Sequence, residues 1–135
     1  MKIVLDTNVL ISALLSPMGA PAAVLQLILL GRVSICFDPR ILSEYRAVLG
    51  RDKFGFDSAL IEDVLEFLEA EGILVACAPL DLALPDSGDA MFIEVGVAGN
   101  VDYLVTGNLK HFPASQRQGL CVVSPREFIQ ATIDD

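Results

Sequence analysis

The stretch Lys2-Ile3-Val4-Leu5-Asp6-Thr7-Asn8-Val9-Leu10 decides the fold. Residues 2–5 form a short, largely apolar run that reads as a buried strand ending at Asp6. Asn8 can cap a helix over residues 9–15, because its side-chain oxygen can accept from the first turn. A strand apolar on both faces and followed at once by a helix belongs in a parallel sheet covered on both sides.

The rest of the chain repeats that alternation. Pro17, Gly19 and Pro21 punctuate it before a second helix, with Pro21 in the first turn and Gly31 closing the apolar run. Residues 33–37 are β-branched and aromatic, a second strand. Asp38-Pro39 starts a helix that stops near Gly50, with Ile41, Leu42, Tyr45, Val48 and Leu49 as its apolar stripe. Asp57 caps a longer helix ended by Gly72. There Leu60, Val64, Phe67 and Leu68 make one stripe, and Glu62, Glu66, Glu69 and Glu71 face water. Residues 73–77 are a third strand, and residues 78–88 a loop rich in Pro and Asp. A helix over about 89–98 precedes strands at 103–106 and 120–123. Ser124-Pro125-Arg126-Glu127 is a capping box that opens a closing helix. No repeat or linker interrupts residues 1–135, so one α/β domain is expected, a three-layer α/β/α arrangement with a central parallel sheet.

Composition narrows the function classes. The net charge of −9 argues against a DNA-coating protein, because long-range electrostatics repel a polyanion. A carboxylate cluster neutralised by metal would still be compatible with that total, and the charge leaves room for a basic protein partner. Hydrophobic residues make up 53% and mean hydropathy is +0.58, a surplus that suggests an exposed patch for a partner. No apolar run approaches the roughly 18 residues of a membrane span, so no membrane partner is expected. Asp6 and Asn8 spoil an N-terminal secretory segment, so the expected location is the cytoplasm. Cys36, Cys77 and Cys121 are isolated, which suits a reducing compartment and buried inert thiols. The single histidine, His111, rules out the usual multi-histidine zinc site. A bound metal would need oxygen ligands, which points to Mg2+ or Mn2+.

Ligands in sheets of this kind bind outside the carboxyl ends of the strands, so the polar residues there carry the argument. Asp6 follows the first strand. A turn or cap is its plain role, but Asn8 can fill that role and leave Asp6 free. Glu44 sits at the edge of its helix's apolar stripe, where an acid can lean over the sheet's rim. Asp86 and Asp89 open the helix before the fourth strand; capping and the dipole account for one of them, not both. Thr106-Gly107-Asn108 ends the fourth strand, with Gly107 permitting a tight turn that sets Thr106 and Asn108 at the rim. Acids converging on one rim repel unless a cation neutralises them.

In these segments the chain resembles the PIN-domain family of ribonucleases over nearly its whole length. The resemblance rests on Ile3-Val4-Leu5-Asp6-Thr7-Asn8-Val9-Leu10, on Glu44, on Asp86-Ser87-Gly88-Asp89 with Phe92, and on Asp102-Tyr103-Leu104-Val105-Thr106-Gly107-Asn108. Lys110-His111-Phe112-Pro113 is similar to the branch of toxin components of toxin–antitoxin pairs. The resemblance implies Asp6, Glu44 and Asp89 as catalytic and metal-binding acids, with Asn8 and Thr106 as supporting polar residues. Many members carry an aspartate where this chain has Asn108. An amide can coordinate or orient water but adds no charge, so one metal ion or two is left open. Also implied are a 5′-phosphate product, an RNA substrate, a possible antitoxin and a homodimer.

The corresponding chemistry is metal-assisted hydrolysis of RNA phosphodiesters, with Arg40, Arg51, Lys53 and Lys110 as candidate phosphate contacts. The rival is a catalytically weak or inactive protein-binding module built on the same fold. A phosphoacceptor receiver domain needs an aspartate after strand three and a lysine after strand five; Cys77-Ala78-Pro79 and Ser124-Pro125-Arg126 stand there instead. A phosphatase of the D-x-D type fails because Asn8 occupies its second acid position.

Overall fold

The computed structural model describes residues 1–134. Five strands form one all-parallel sheet in the order β3-β2-β1-β4-β5. They are β1 (Lys2–Leu5), β2 (Ser34–Phe37), β3 (Ile73–Leu74), β4 (Tyr103–Val105) and β5 (Val122–Val123). Six α-helices complete an α/β/α arrangement: α1 (Thr7–Leu15), α2 (Ala20–Leu29), α3 (Pro39–Leu49), α4 (Ser58–Glu71), α5 (Ala90–Ala98) and α6 (Pro125–Asp134). β1 lies at the centre because its apolar faces need cover on both sides. Ile3 and Val4 are fully buried, and Ile3, Val4 and Leu5 register against Tyr103, Leu104 and Val105.

The helix starts follow local capping chemistry. Asp38 accepts from the Ile41 N–H at the head of α3, and Asp57 accepts from the Ala59 N–H at the head of α4. Ser124 and Glu127 form the reciprocal capping box at α6. α5 packs over β1, β2 and β4, while α6 packs on β4, β5 and α2. Among the described residues no single helix is long and apolar enough to cross a membrane. The apolar α1 and α2 instead bury Val9, Leu10, Val24 and Leu25 in the core.

Several local expectations are corrected. α1 begins at Thr7, so Asp6 and not Asn8 stands at its N-cap position, yet neither side chain caps it. Asn8 is drawn away because its oxygen accepts from the Gly107 N–H across the rim. β3 is two residues long, not five. It is an edge strand, and beyond Val75 the chain leaves the sheet. On α4 the buried line is Ile61, Leu65 and Leu68, while Leu60 is 41% exposed, so the stripe is turned by one position. That face packs against α3, a contact the helix's own periodicity leaves undetermined. Of the three thiols only Cys36 is buried; Cys121 is exposed.

Candidate metal centre

The acids lie around the carboxyl ends of the central strands. Asp6 leaves β1 and points beside β4, where its Oδ2 accepts from the Thr106 hydroxyl at 2.7 Å. Thr106 is fully buried, and its Oγ1 also accepts from the Asn108 N–H at 3.0 Å. These bonds set the turn after β4, while Asn8 holds Gly107 at 3.2 Å. A side chain at Gly107 would place a Cβ 3.3 Å from that Asn8 oxygen, so the turn needs a small residue there. Asn8, Thr106 and Asn108 therefore lie where the rim turns.

Glu44 reaches the same rim from α3. Its Oε2 accepts from the Thr7 hydroxyl, and the next residue, Tyr45, is fully buried and donates its hydroxyl to the Leu5 carbonyl. Both contacts pin the middle of α3 to the end of β1. Asp89 arrives from the opposite side. A short 3-10 turn over Ser87–Asp89 precedes α5, and Asp86 serves it by accepting from the Gly88 N–H. Asp89 is thereby released from capping. It is 8% exposed, and its buried Oδ2 accepts no hydrogen bond. His111 Nδ1 approaches that oxygen to 3.3 Å, within ion-pair range but without hydrogen-bond geometry.

Electrostatics couple these groups. Burial raises the Asp6 pKa; the Thr106 hydrogen bond opposes that, and the Glu44 charge adds to it. Burial pushes Asp89 up to about 6, helped by repulsion from Asp6, Asp86 and Glu44 and opposed by His111. The buried Tyr45 phenol is pushed well above its ordinary value by desolvation and by the Asp6 and Glu44 charges. A buried carboxylate whose pKa is raised further by neighbouring acids marks a site short of positive charge.

Among the described residues, no three His, Cys, Asp or Glu side chains stand close enough to enclose a metal ion as they are. The donor set nevertheless fits a hard divalent cation: oxygen donors, repulsion among the acids, and one buried carboxylate oxygen that accepts no hydrogen bond. Asp6, Glu44 and Asp89 are the residues that would hold it.

The surrounding cations divide. Arg40 is paired with Asp38 and Glu94 at 2.7 Å each, so its guanidinium is committed to two acids that are each 5% exposed. One cation between two carboxylates leaves a net negative corner there. Arg51, Lys53 and Lys110 are exposed, and Lys53 lies over the Phe54 ring at 5.1 Å. A shallow groove of about 560 Å³ between α3 and α5 is lined by Glu44, Ala47, Arg51, Gly88 and Met91 among others. A cavity of about 260 Å³ near Ile28, Val33, Phe67 and Gly72 lies by the start of β2, away from the acids. Sequence reasoning passed over Thr7, Tyr45, Glu94 and the role of His111. Only the Thr7 hydroxyl beside Asp6 and the His111 imidazole after the rim turn left a local signal.

Residues 2–110 match a family model described as PIN domain. No curated protein matches. Among solved structures, the chain is similar to VapBC2 from Rickettsia felis bound to a DNA fragment from their promoter. That match has a TM-score of 0.62 and 16% identity, covering 92% of this chain and 98% of that one. It is also similar to FitAcB from Neisseria gonorrhoeae, with a TM-score of 0.59 and 18% identity over 92% and 98% of the two chains. FitAB bound to an IR36 DNA fragment matches with a TM-score of 0.60 and 16% identity, covering 91% and 94%. At these identities the likeness shows the fold.

Proposed function

This chain belongs to the PIN-domain family, and from that premise we propose that it is a metal-dependent endoribonuclease. In this reading residues 1–135 act as one cytoplasmic nuclease domain, the toxin of a toxin–antitoxin pair, and assemble as a homodimer. The carrying observation is the buried Asp89 Oδ2, which accepts no hydrogen bond and lies in the same electrostatic neighbourhood as Asp6 and Glu44. Mg2+ or Mn2+ held by these three acids would supply an activated water and charge neutralisation for phosphodiester hydrolysis.

The chain's own residues provide the framework. Thr106 and Thr7 hold Asp6 and Glu44 in place through their hydroxyls. Tyr45 anchors α3 to the strand that delivers Asp6. Asn108, two residues after Thr106, would orient a water or a phosphate through its amide. Arg51, Lys53 and Lys110 are proposed to meet the RNA backbone, with Arg51 lining the groove that also contains Glu44.

An antitoxin partner is supported by the similarity to VapBC2 and FitAB, both solved on DNA fragments. A chain of net charge −9 is poorly suited to approach DNA itself, and a basic partner would supply the missing charge. The rival, a catalytically weak binding module, is favoured by the neutral Asn108 and by the open spacing of the acids.

One experiment separates them: cleavage of a mixed RNA pool with Mn2+, Mg2+ or chelator, beside Asp6→Asn. Metal-dependent cleavage that disappears in the variant, with its fold intact, is expected. Cleavage at the wild-type rate in Asp6→Asn would overturn the site, and an inert wild type would favour the binding module.

A further inference from the structure

We infer that Arg40 is a positioning residue for the metal-binding rim, a clamp that sets α3 against α5 and so sets Glu44 against Asp89. The inference rests on the nuclease reading above. Arg40 lies in the first turn of α3, four residues before Glu44, so the two side chains share a helix face. Its Nε donates to Asp38 Oδ2 at 2.8 Å and its Nη1 to Glu94 Oε1 at 2.7 Å, while Nη2 lies 3.2 Å from Cys77 Sγ.

Each partner is tied down a second time. The other Asp38 oxygen accepts from the Ile41 N–H and caps α3. The other Glu94 oxygen accepts from the Leu80 N–H at 2.8 Å, fastening the irregular segment between β3 and α5. One guanidinium thus gathers the head of α3, the middle of α5 and the loop that joins the sheet edge to α5. Among the described residues it makes the one ion pair between α3 and α5; Arg46–Glu62 joins α3 to α4 instead.

The fork geometry matters. Arginine can meet two carboxylates at once through fixed donors, whereas a lysine offers a single point charge. The paired acids are buried and the clamp lies one helical turn from Glu44. A small rotation of α3 on α5 therefore changes the spacing of Glu44 and Asp89 directly. Arg40 acts through these helices and touches neither acid.

Arg40→Met alone leaves two buried carboxylates facing each other and risks unfolding the protein. The informative variant is Arg40→Met/Glu94→Gln, which removes one charge of each sign and keeps an oxygen for the Leu80 N–H. Mn2+ affinity of the full chain is measured by titration calorimetry, with thermal unfolding in chelator recorded alongside. The Mn2+ dissociation constant is expected to rise by about tenfold, the scale for loss of a residue supporting metal ligands. Arg46→Met, which breaks the outward pair on the same helix, should bind as the wild type does.

A double variant that unfolds at lower temperature yet binds Mn2+ like the wild type overturns the inference and leaves Arg40 a purely structural pair. A wild type that takes up no Mn2+ overturns the nuclease reading, and the clamp with it.

Discussion

Asp89→Asn should make the metal-free protein more stable, although it removes a proposed metal ligand. The Asp89 pKa is raised from 3.8 to about 6 in the folded state, mainly by burial and then by the neighbouring acids. The folded form therefore favours the protonated carboxyl. Stability from that proton is fully present below pH 3.8 and is lost as pH rises through about 6. At pH 8 the folded protein carries an ionised Asp89 at a cost. Two pKa units correspond to a ceiling of about 3 kcal/mol. Relaxation and water penetration reduce that to about 1–2 kcal/mol, or roughly 4–8 °C in Tm for a domain of this size.

The assay is thermal unfolding of both proteins in chelator and in saturating Mn2+, at pH 5 and pH 8. In chelator at pH 8 the variant should melt higher; at pH 5, midway between the unfolded and folded pKa values, the gap should shrink to about half. With Mn2+ at a hundred times its dissociation constant, the wild type should gain about 2.7 kcal/mol by mass action and overtake the variant. A variant that melts lower than the wild type in chelator at pH 8 would refute the charge-repulsion argument. So would a gap of equal size at the two pH values.

Tyr45→Phe removes the donor to the buried Leu5 carbonyl and should cost about 1–3 kcal/mol in urea unfolding, with weaker Mn2+ uptake because α3 loses its anchor beside Asp6. His111→Gln removes the imidazole that lowers both acids, so the midpoint of Mn2+ binding against pH should move upward; an unchanged midpoint would show that the imidazole does not act on Asp89. Gly72→Ala would put a Cβ 2.4 Å from the Leu68 carbonyl and 2.9 Å from the Phe37 ring, and should destabilise the fold by about 1–3 kcal/mol in denaturant titration.

What the sequence made legible was what depends on near neighbours. Asp38, Asp57 and the Ser124–Glu127 box announce helix starts because a cap is settled within three residues. The alternation of apolar strands and helices gives a parallel sheet, and the sheet in turn directs attention to Asp6, Glu44, Asp89 and Thr106. What escaped depends on partners distant in the chain. The hold of Glu94 on Arg40, 54 residues away, leaves no local signal. Asn8 looks like the cap of α1 until Gly107, 99 residues away, takes its oxygen. The α4 stripe reads one position off because Leu60 and Ile61 are equally apolar, and only the packing against α3 chooses between them.

The central position of β1 has a consequence for the order in which the molecule can be built. β1 is made first, yet its neighbour β4 and the Thr106 hydroxyl that seats Asp6 come 100 residues later. Contacts so distant in sequence form slowly and late, after much of the chain has collapsed without them. A nascent chain still lacking β4 has an unpaired flank on its central strand and no rim at which the acids can converge. On the ribosome, surrounded by RNA, this topology leaves the rim around Asp6 unbuilt until the residues of the Thr106 turn have emerged.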